Sequence, residues 1–155
     1  MTDSALEFEL YLRSEVSAIP PFVDTLINLI RKCRGVPVNE EDIEMALREA
    51  LVNAIVHGNH EDPAKQVCVR CRCGTDEVSI VVKDEGKGFD PDEVPNPTAP
   101  ENIQSTHGRG IYLMKNLMDE VRFEQGGAVV YLRKSDVKNP SRRRNGNEHK
   151  GPTRP

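Results

Sequence analysis

A chain of 155 residues with 37% hydrophobic and 30% charged side chains is composed for a single soluble globular domain, and no apolar run approaches the roughly 18–20 residues of a membrane span. The formal charge of −4 conceals an asymmetry: residues 135–155 carry six Lys/Arg against Asp136 and Glu148, leaving that segment at +4 and the preceding body at −8. An acidic body argues against nucleic acid as the domain's main partner, because phosphate neutralisation needs clustered Lys and Arg.

The N-terminus, "MTDSALEFELYLRSE", is acidic and lacks the basic and apolar regions of a signal peptide, so a cytoplasmic protein is expected. Within it Leu6, Phe8 and Leu10 alternate with Glu7, Glu9 and Tyr11, the pattern of a strand with one buried face. Pro20-Pro21 opens a helix whose apolar positions 22, 23, 26, 27, 29 and 30 repeat at helical period until Gly35. A second helix starts at Asn39, a good N-cap followed by acidic residues, and ends at Gly58. Its apolar stripe is Ile43, Ala46, Leu47, Ala50, Leu51, Ala54 and Ile55. Along the same helix Glu49, Asn53 and His57 recur every four residues, which places them on one face.

Two strands follow, at 66–73 and 77–83, joined by "GTDE". The first contains three of the four cysteines. In "QVCVRCRCG" the C-x2-C-x-C spacing lacks a nearby fourth ligand. The alternation instead puts Val67, Val69, Cys71 and Cys73 on one face and Cys68, Arg70 and Arg72 on the other, as in a core strand of a cytosolic protein. Residues 85–107 form a long loop rich in Gly and Pro, "GRGIYLMKNLMDE" restarts a helix, and "VRFEQGGAVVYLRK" reads as a hairpin turning at Gly126-Gly127. The remaining segment, 135–155, has almost no apolar residues and is expected to be a solvated, disordered tail. The domain is thus residues 1–134. Its element order predicts an α+β, two-layer sandwich, with a mixed, mostly antiparallel sheet and the helices on one face.

Three segments carry candidate chemistry. Glu49 and Asn53 share a helix face; an Asn oxygen suits Mg²⁺, and a Glu one turn earlier can take a proton from an attacking hydroxyl. In "DEGKGFDP", Asp84 ends a strand as a fixed acceptor for an amino group such as that of adenine. Gly86 and Gly88 let the backbone approach a flat ligand. In "HGRGIYLM", Gly108 and Gly110 open a helix, leaving free N–H groups at the positive end of its dipole for phosphate. Each motif alone is a common turn or polar face; their order along the chain is what joins them.

That order resembles the GHKL, or Bergerat-fold, ATP-binding domains of DNA gyrase, histidine kinases and MutL-type proteins. "EALVNAIVHGN" looks like the family's N box, "DEGKGFDP" its G1 box and "HGRGIYLMKNLMDEV" its G2 box. The wording is closest to the anti-sigma factor serine/threonine kinases, and the resemblance spans about residues 6–133. It implies that Asn53 coordinates Mg²⁺ bound to the phosphates of ATP and that Glu49 is the general base. It also implies that Asp84 accepts the adenine amine, with Gly86 and Gly88 shaping the adenine wall. Gly108, Arg109 and Gly110 would offer backbone N–H groups to phosphate, with residues 89–107 as a lid.

The function so implied is an anti-sigma factor that phosphorylates a serine or threonine of an anti-anti-sigma partner of the STAS type and holds a sigma factor inactive. A homodimer through the first strand and helix is expected with it. Two other readings compete: an ATP-binding switch that sequesters a partner without phosphorylating it, and a detached histidine-kinase domain acting in trans. The chain departs from the family pattern at two places. Ser105-Thr106-His107 stands where some members carry a lid arginine, leaving Arg109 or His107 as candidate substitutes. Ala128 stands where the last hairpin often has a threonine that supports adenine through water; loss of that hydrogen bond costs on the order of 1 kcal/mol, which ATP binding survives.

Overall fold

In the computed structural model, the described residues are 5–33, 39–87 and 106–135. The elements are β1 (Leu6–Arg13), α1 (Ile19–Cys33), α2 (Glu40–Val52), β2 (Gln66–Cys73), β3 (Glu77–Lys83), α3 (Thr106–Leu117), β4 (Glu120–Glu124) and β5 (Val129–Ser135). The cysteine-bearing strand and its neighbour have the bounds that alternation predicts. Asn39 caps α2, its side-chain oxygen accepting the Asp42 N–H at 3.2 Å, and every residue of the apolar stripe from Ile43 to Ile55 is buried.

The five strands form one sheet in the order β1-β2-β3-β5-β4. The expectation of a mostly antiparallel sheet is met, and among the described strands every pairing is antiparallel. The hairpin accounts for this. Its return arm β5, not β4, inserts beside β3, whereas β4 in that place would run parallel to β3. The hairpin's turn is wider than a two-residue Gly-Gly corner. Gln125, Gly126 and Gly127 all have positive φ, and the Ala128 N–H donates to the Gln125 carbonyl at 3.3 Å. The glycines take such backbone without steric cost.

Register carries the layer structure. Phe8, Cys71, Ile80, Leu132 and Val121 pair in a row across all five strands, and Leu10, Val69, Val82, Val130 and Phe123 form the next row. Both rows are buried or packed on the core together with Val23, Leu26 and Ile30 of α1 and the stripe of α2. The opposite face is charged. Arg70 pairs with Glu9 at 2.9 Å, Arg133 with Glu77 and Glu120 at 3.2 and 3.1 Å, and Arg122 lies 4.2 Å from the centre of the Tyr131 ring. Exposed pairs of this kind contribute about 0–1 kcal/mol each, so the helix side supplies the stability. Cys71 and Cys73 are buried on that side, Cys68 lies on the other, and none of the four cysteines is in a disulfide.

Candidate active site

A pocket opens between the helices and the far end of β3. Ala50, Asn53 and Ala54 line it from α2 and its continuation, Val82 from β3 and Asp84 from the residue just beyond it, Met114 from α3, and Phe123, Gly127, Ala128 and Val130 from the β4–β5 hairpin. Its wall is apolar except for Asn53 and Asp84. An apolar slot with a few placed polar groups is the usual form of a small-molecule site.

The helix side comes from a local change of period. After Val52 the chain widens into a π-helical turn, Asn53–Gly58, marked by the Asn59 N–H donating five residues back to the Ala54 carbonyl at 2.8 Å. Such turns occur often at functional sites. Glu49 and Asn53 face the site together, and His57 does not join them. Asn53 is buried against the pocket, while His57 is exposed and does not line it.

Glu49, one regular turn before Asn53, is half-buried, and burial pushes its carboxyl above the usual range. The first turns of α3 come close to it: a Cβ on Gly110 would lie 2.7 Å from Glu49 Oε2 and 3.8 Å from Asn53 Nδ2. A side chain at position 110 would therefore intrude on the carboxylate, and glycine leaves that space open. Gly108 and Arg109 fall in the same N-terminal segment of α3, where backbone N–H groups and the helix dipole favour an anion. A carboxamide, a carboxylate and a helix N-terminus around one space are a donor set of the kind that suits a hydrated Mg²⁺.

On the sheet side Asp84 is 5% exposed. Its N–H donates to the Ala128 carbonyl at 2.9 Å, and its Oδ1 accepts the Gly86 N–H at 2.8 Å. Burial raises the carboxyl's pKa, while the Gly86 N–H opposes that shift and holds the group in place. Two glycines make the junction with the π turn possible. A Cβ on Gly58 would sit 2.3 Å from Asp84 Oδ2, and a Cβ on Gly86 would sit 2.1 Å from the Gly58 carbonyl oxygen. The close approach expected of Gly86 is thus an approach to the protein's own helix end.

The fold brings Glu49, Asn53, Asp84, Gly86 and the α3 start of Gly108–Gly110 to one end of the sheet. Gly88, most of the expected lid and the basic tail lie outside the described residues. Two residues outside the expected set belong to the same junction: Gly58, beyond its role in ending the helix, and Asn59, which is fully buried among polar partners. An asparagine directly after a helix-ending glycine is the signal that was available, because Asn is favoured where a side chain must bond nearby backbone.

Comparison with known proteins gives the chain a family. The family model described as histidine kinase-like ATPase domain matches residues 12–134. Serine-protein kinase RsbW of Bacillus subtilis (strain 168) is 32% identical over 130 residues, covering 77% of this chain and 81% of that protein. Anti-sigma F factor of Geobacillus kaustophilus (strain HTA426) is 38% identical over 104 residues, 63% of this chain and 70% of its own. Anti-sigma F factor of Oceanobacillus iheyensis is 35% identical over 100 residues, 60% and 67% respectively.

Proposed function

Because this chain belongs to the family of histidine kinase-like ATPase domains, in the branch that holds serine-protein kinases and anti-sigma F factors, we propose that it is an ATP-dependent serine/threonine kinase and anti-sigma factor acting in the cytoplasm. Its partners in this reading are a sigma factor, which it holds inactive, and an anti-anti-sigma protein of the STAS type, which it phosphorylates. The observation that carries the proposal is the close approach of Gly110 to Glu49 and Asn53, with Asn53 also lining the apolar pocket that Asp84 lines.

Asp84 accepts a hydrogen bond from the adenine amine, and the apolar walls hold the ring. The N–H groups at the start of α3 receive phosphate oxygens. Asn53 would hold Mg²⁺, which would neutralise phosphate charge. Glu49 accepts the proton of the attacking serine or threonine hydroxyl as its oxygen bonds to the γ-phosphorus and the bond to ADP breaks. Burial raises the Glu49 pKa, and a carboxylate of raised pKa is a stronger base than an exposed one.

The test is transfer of label from ATP to a STAS protein. Wild type should phosphorylate a serine or threonine, and Glu49→Ala should abolish transfer while ATP still binds. ATP binding without transfer to any STAS partner would replace the kinase by a sequestering switch. Acid-labile phosphohistidine on the acceptor would instead favour a histidine kinase. The same reading includes a homodimer through β1, the edge strand, where Leu6 and Tyr11 are exposed. Light scattering at twice the chain mass is expected, and a mass near 17.4 kDa would overturn the dimer.

A further inference from the structure

We infer that Asn59 is a positioning residue for nucleotide recognition: it fixes where the Asp84 carboxylate stands relative to the helix carrying Glu49 and Asn53. The inference rests on the reading of the pocket as an adenine site and adds a residue that this reading leaves idle.

Asn59 is fully buried at the end of the π turn and bonds three separate segments. Its Nδ2 donates to Ser14 Oγ at 2.9 Å, between β1 and α1, and to the Gln66 carbonyl at 3.1 Å, at the start of β2. Its Oδ1 accepts the Glu85 N–H at 2.7 Å, one residue beyond Asp84. Two further bonds complete a polar ring. Ser14 Oγ donates to the Lys65 carbonyl at 2.8 Å, and the Gln66 N–H donates to Glu85 Oε2 at 2.6 Å. Ser14 is itself 1% exposed.

The lining of the pocket includes neither Asn59 nor Ser14. The ring's effect is geometric. The Asp84 main chain is tied on one side to Ala128 of the hairpin, and Asn59 ties the next peptide to the helix end on the other. The Gly58 carbonyl packs against Gly86 from the same helix end. One turn of chain, 53–59, therefore offers Asn53 to the phosphate side at its start and sets the adenine acceptor at its finish. A buried acceptor lost from this ring leaves the Glu85 N–H unpaired, and the segment that holds the carboxylate is then free to shift.

The discriminating experiment compares binding of ATP with that of purine riboside triphosphate, which lacks the exocyclic amine, by calorimetry on the full chain. Wild type should prefer ATP. Asn59→Ala should weaken ATP binding by about tenfold while purine riboside triphosphate changes by less than about twofold, so the preference collapses. Asn59→Asp keeps an acceptor for the Glu85 N–H and should retain most of the preference even where the chain melts earlier; a merely structural residue would not show this split. Ser14→Ala, a smaller lesion of the same ring, should reduce the preference by roughly two- to threefold and serves where Asn59→Ala does not fold. Preference kept at the wild-type ratio in folded Asn59→Ala, or in Ser14→Ala where the former does not fold, overturns the inference, provided Asp84→Asn abolishes it. Preference surviving in Asp84→Asn overturns the adenine reading, and the role of Asn59 falls with it.

Discussion

The two ends of the long helix follow different rules. At its start, Asn39 caps the first turn, Glu40, Glu41 and Asp42 sit at the positive pole of the dipole, and the neighbourhood is largely solvent. Its cap and its dipole charges come from its own first turn, although Glu40 also pairs with Arg31 and Asp42 with Lys134. At its finish, the period changes at Asn53, and the turn from Asn53 to Asn59 is held by Asp84, Gly86, Ser14 and Gln66, none of them close in sequence. The first end is built by local propensity and the second by tertiary contact. Chemistry collects at the second because only there do side chains from distant segments meet.

The strongest attack on this contrast is a methyl group at the contact between the π turn and the G1 segment. Gly86→Ala would put a Cβ 2.1 Å from the Gly58 carbonyl oxygen, and neither main chain can yield without moving the other. We expect a loss of about 3 kcal/mol or more, read as the shift of a urea midpoint, with nucleotide binding lost as well. Gly58→Ala drives its Cβ into the Asp84 carboxylate at 2.3 Å instead. There the side chain can swing aside, so the expected cost is smaller, about 1–3 kcal/mol, but adenine affinity should fall with the displaced acceptor. Wild-type stability in Gly86→Ala would show that the two segments do not bear on each other.

A second test uses the charge buried near the site. Burial raises the Glu49 carboxyl in the folded protein above its unfolded value, so the folded state binds the proton more tightly. The contribution to stability is present below the unfolded pKa and is lost as pH rises through the folded pKa. At neutral pH the ionised group therefore opposes folding of the nucleotide-free protein. Glu49→Gln should raise the melting temperature at neutral pH, with a gain that vanishes as the pH is lowered through the carboxylate range. The phosphotransfer rate should run the other way in the wild type. It should rise with pH along an acid limb displaced upward from that of an ordinary glutamate, since only the ionised form accepts a proton. A melting temperature for Glu49→Gln that is lower than wild type at every pH would refute the first expectation.

What the sequence made legible follows the same division. The limits of β2 and β3, the stripe from Ile43 to Ile55 and the Asn39 cap were readable because alternation, helical period and capping are local signals. The meeting of Glu49, Asn53 and Asp84 was readable only through motif order and family resemblance. The π turn was not, because the residues that stabilise it are contributed by the β1–α1 junction, β2 and the G1 segment. The insertion of β5 between β3 and β4 has no local signature either, since both arms of that hairpin read as equivalent strands.

The mildest test returns to the helix start. Asn39→Ala removes the acceptor of the Asp42 N–H and should cost about 1 kcal/mol, measured as a denaturant midpoint shift. If the two ends are independent, ATP affinity in this variant stays within twofold of wild type, and its loss adds to that of Gly58→Ala in the double variant, as distant unshared sites do. The measurement is demanding because Lys134 connects the Asp42 carboxylate, at 2.9 Å, to the Leu117 carbonyl at the end of α3. Through α3, which also carries Gly110 to Glu49, a frayed helix start has a route to the site. An affinity loss above twofold in Asn39→Ala, reproduced by Lys134→Met, would mean that the locally built end also governs the site, and the contrast between the ends would be one of origin rather than of function.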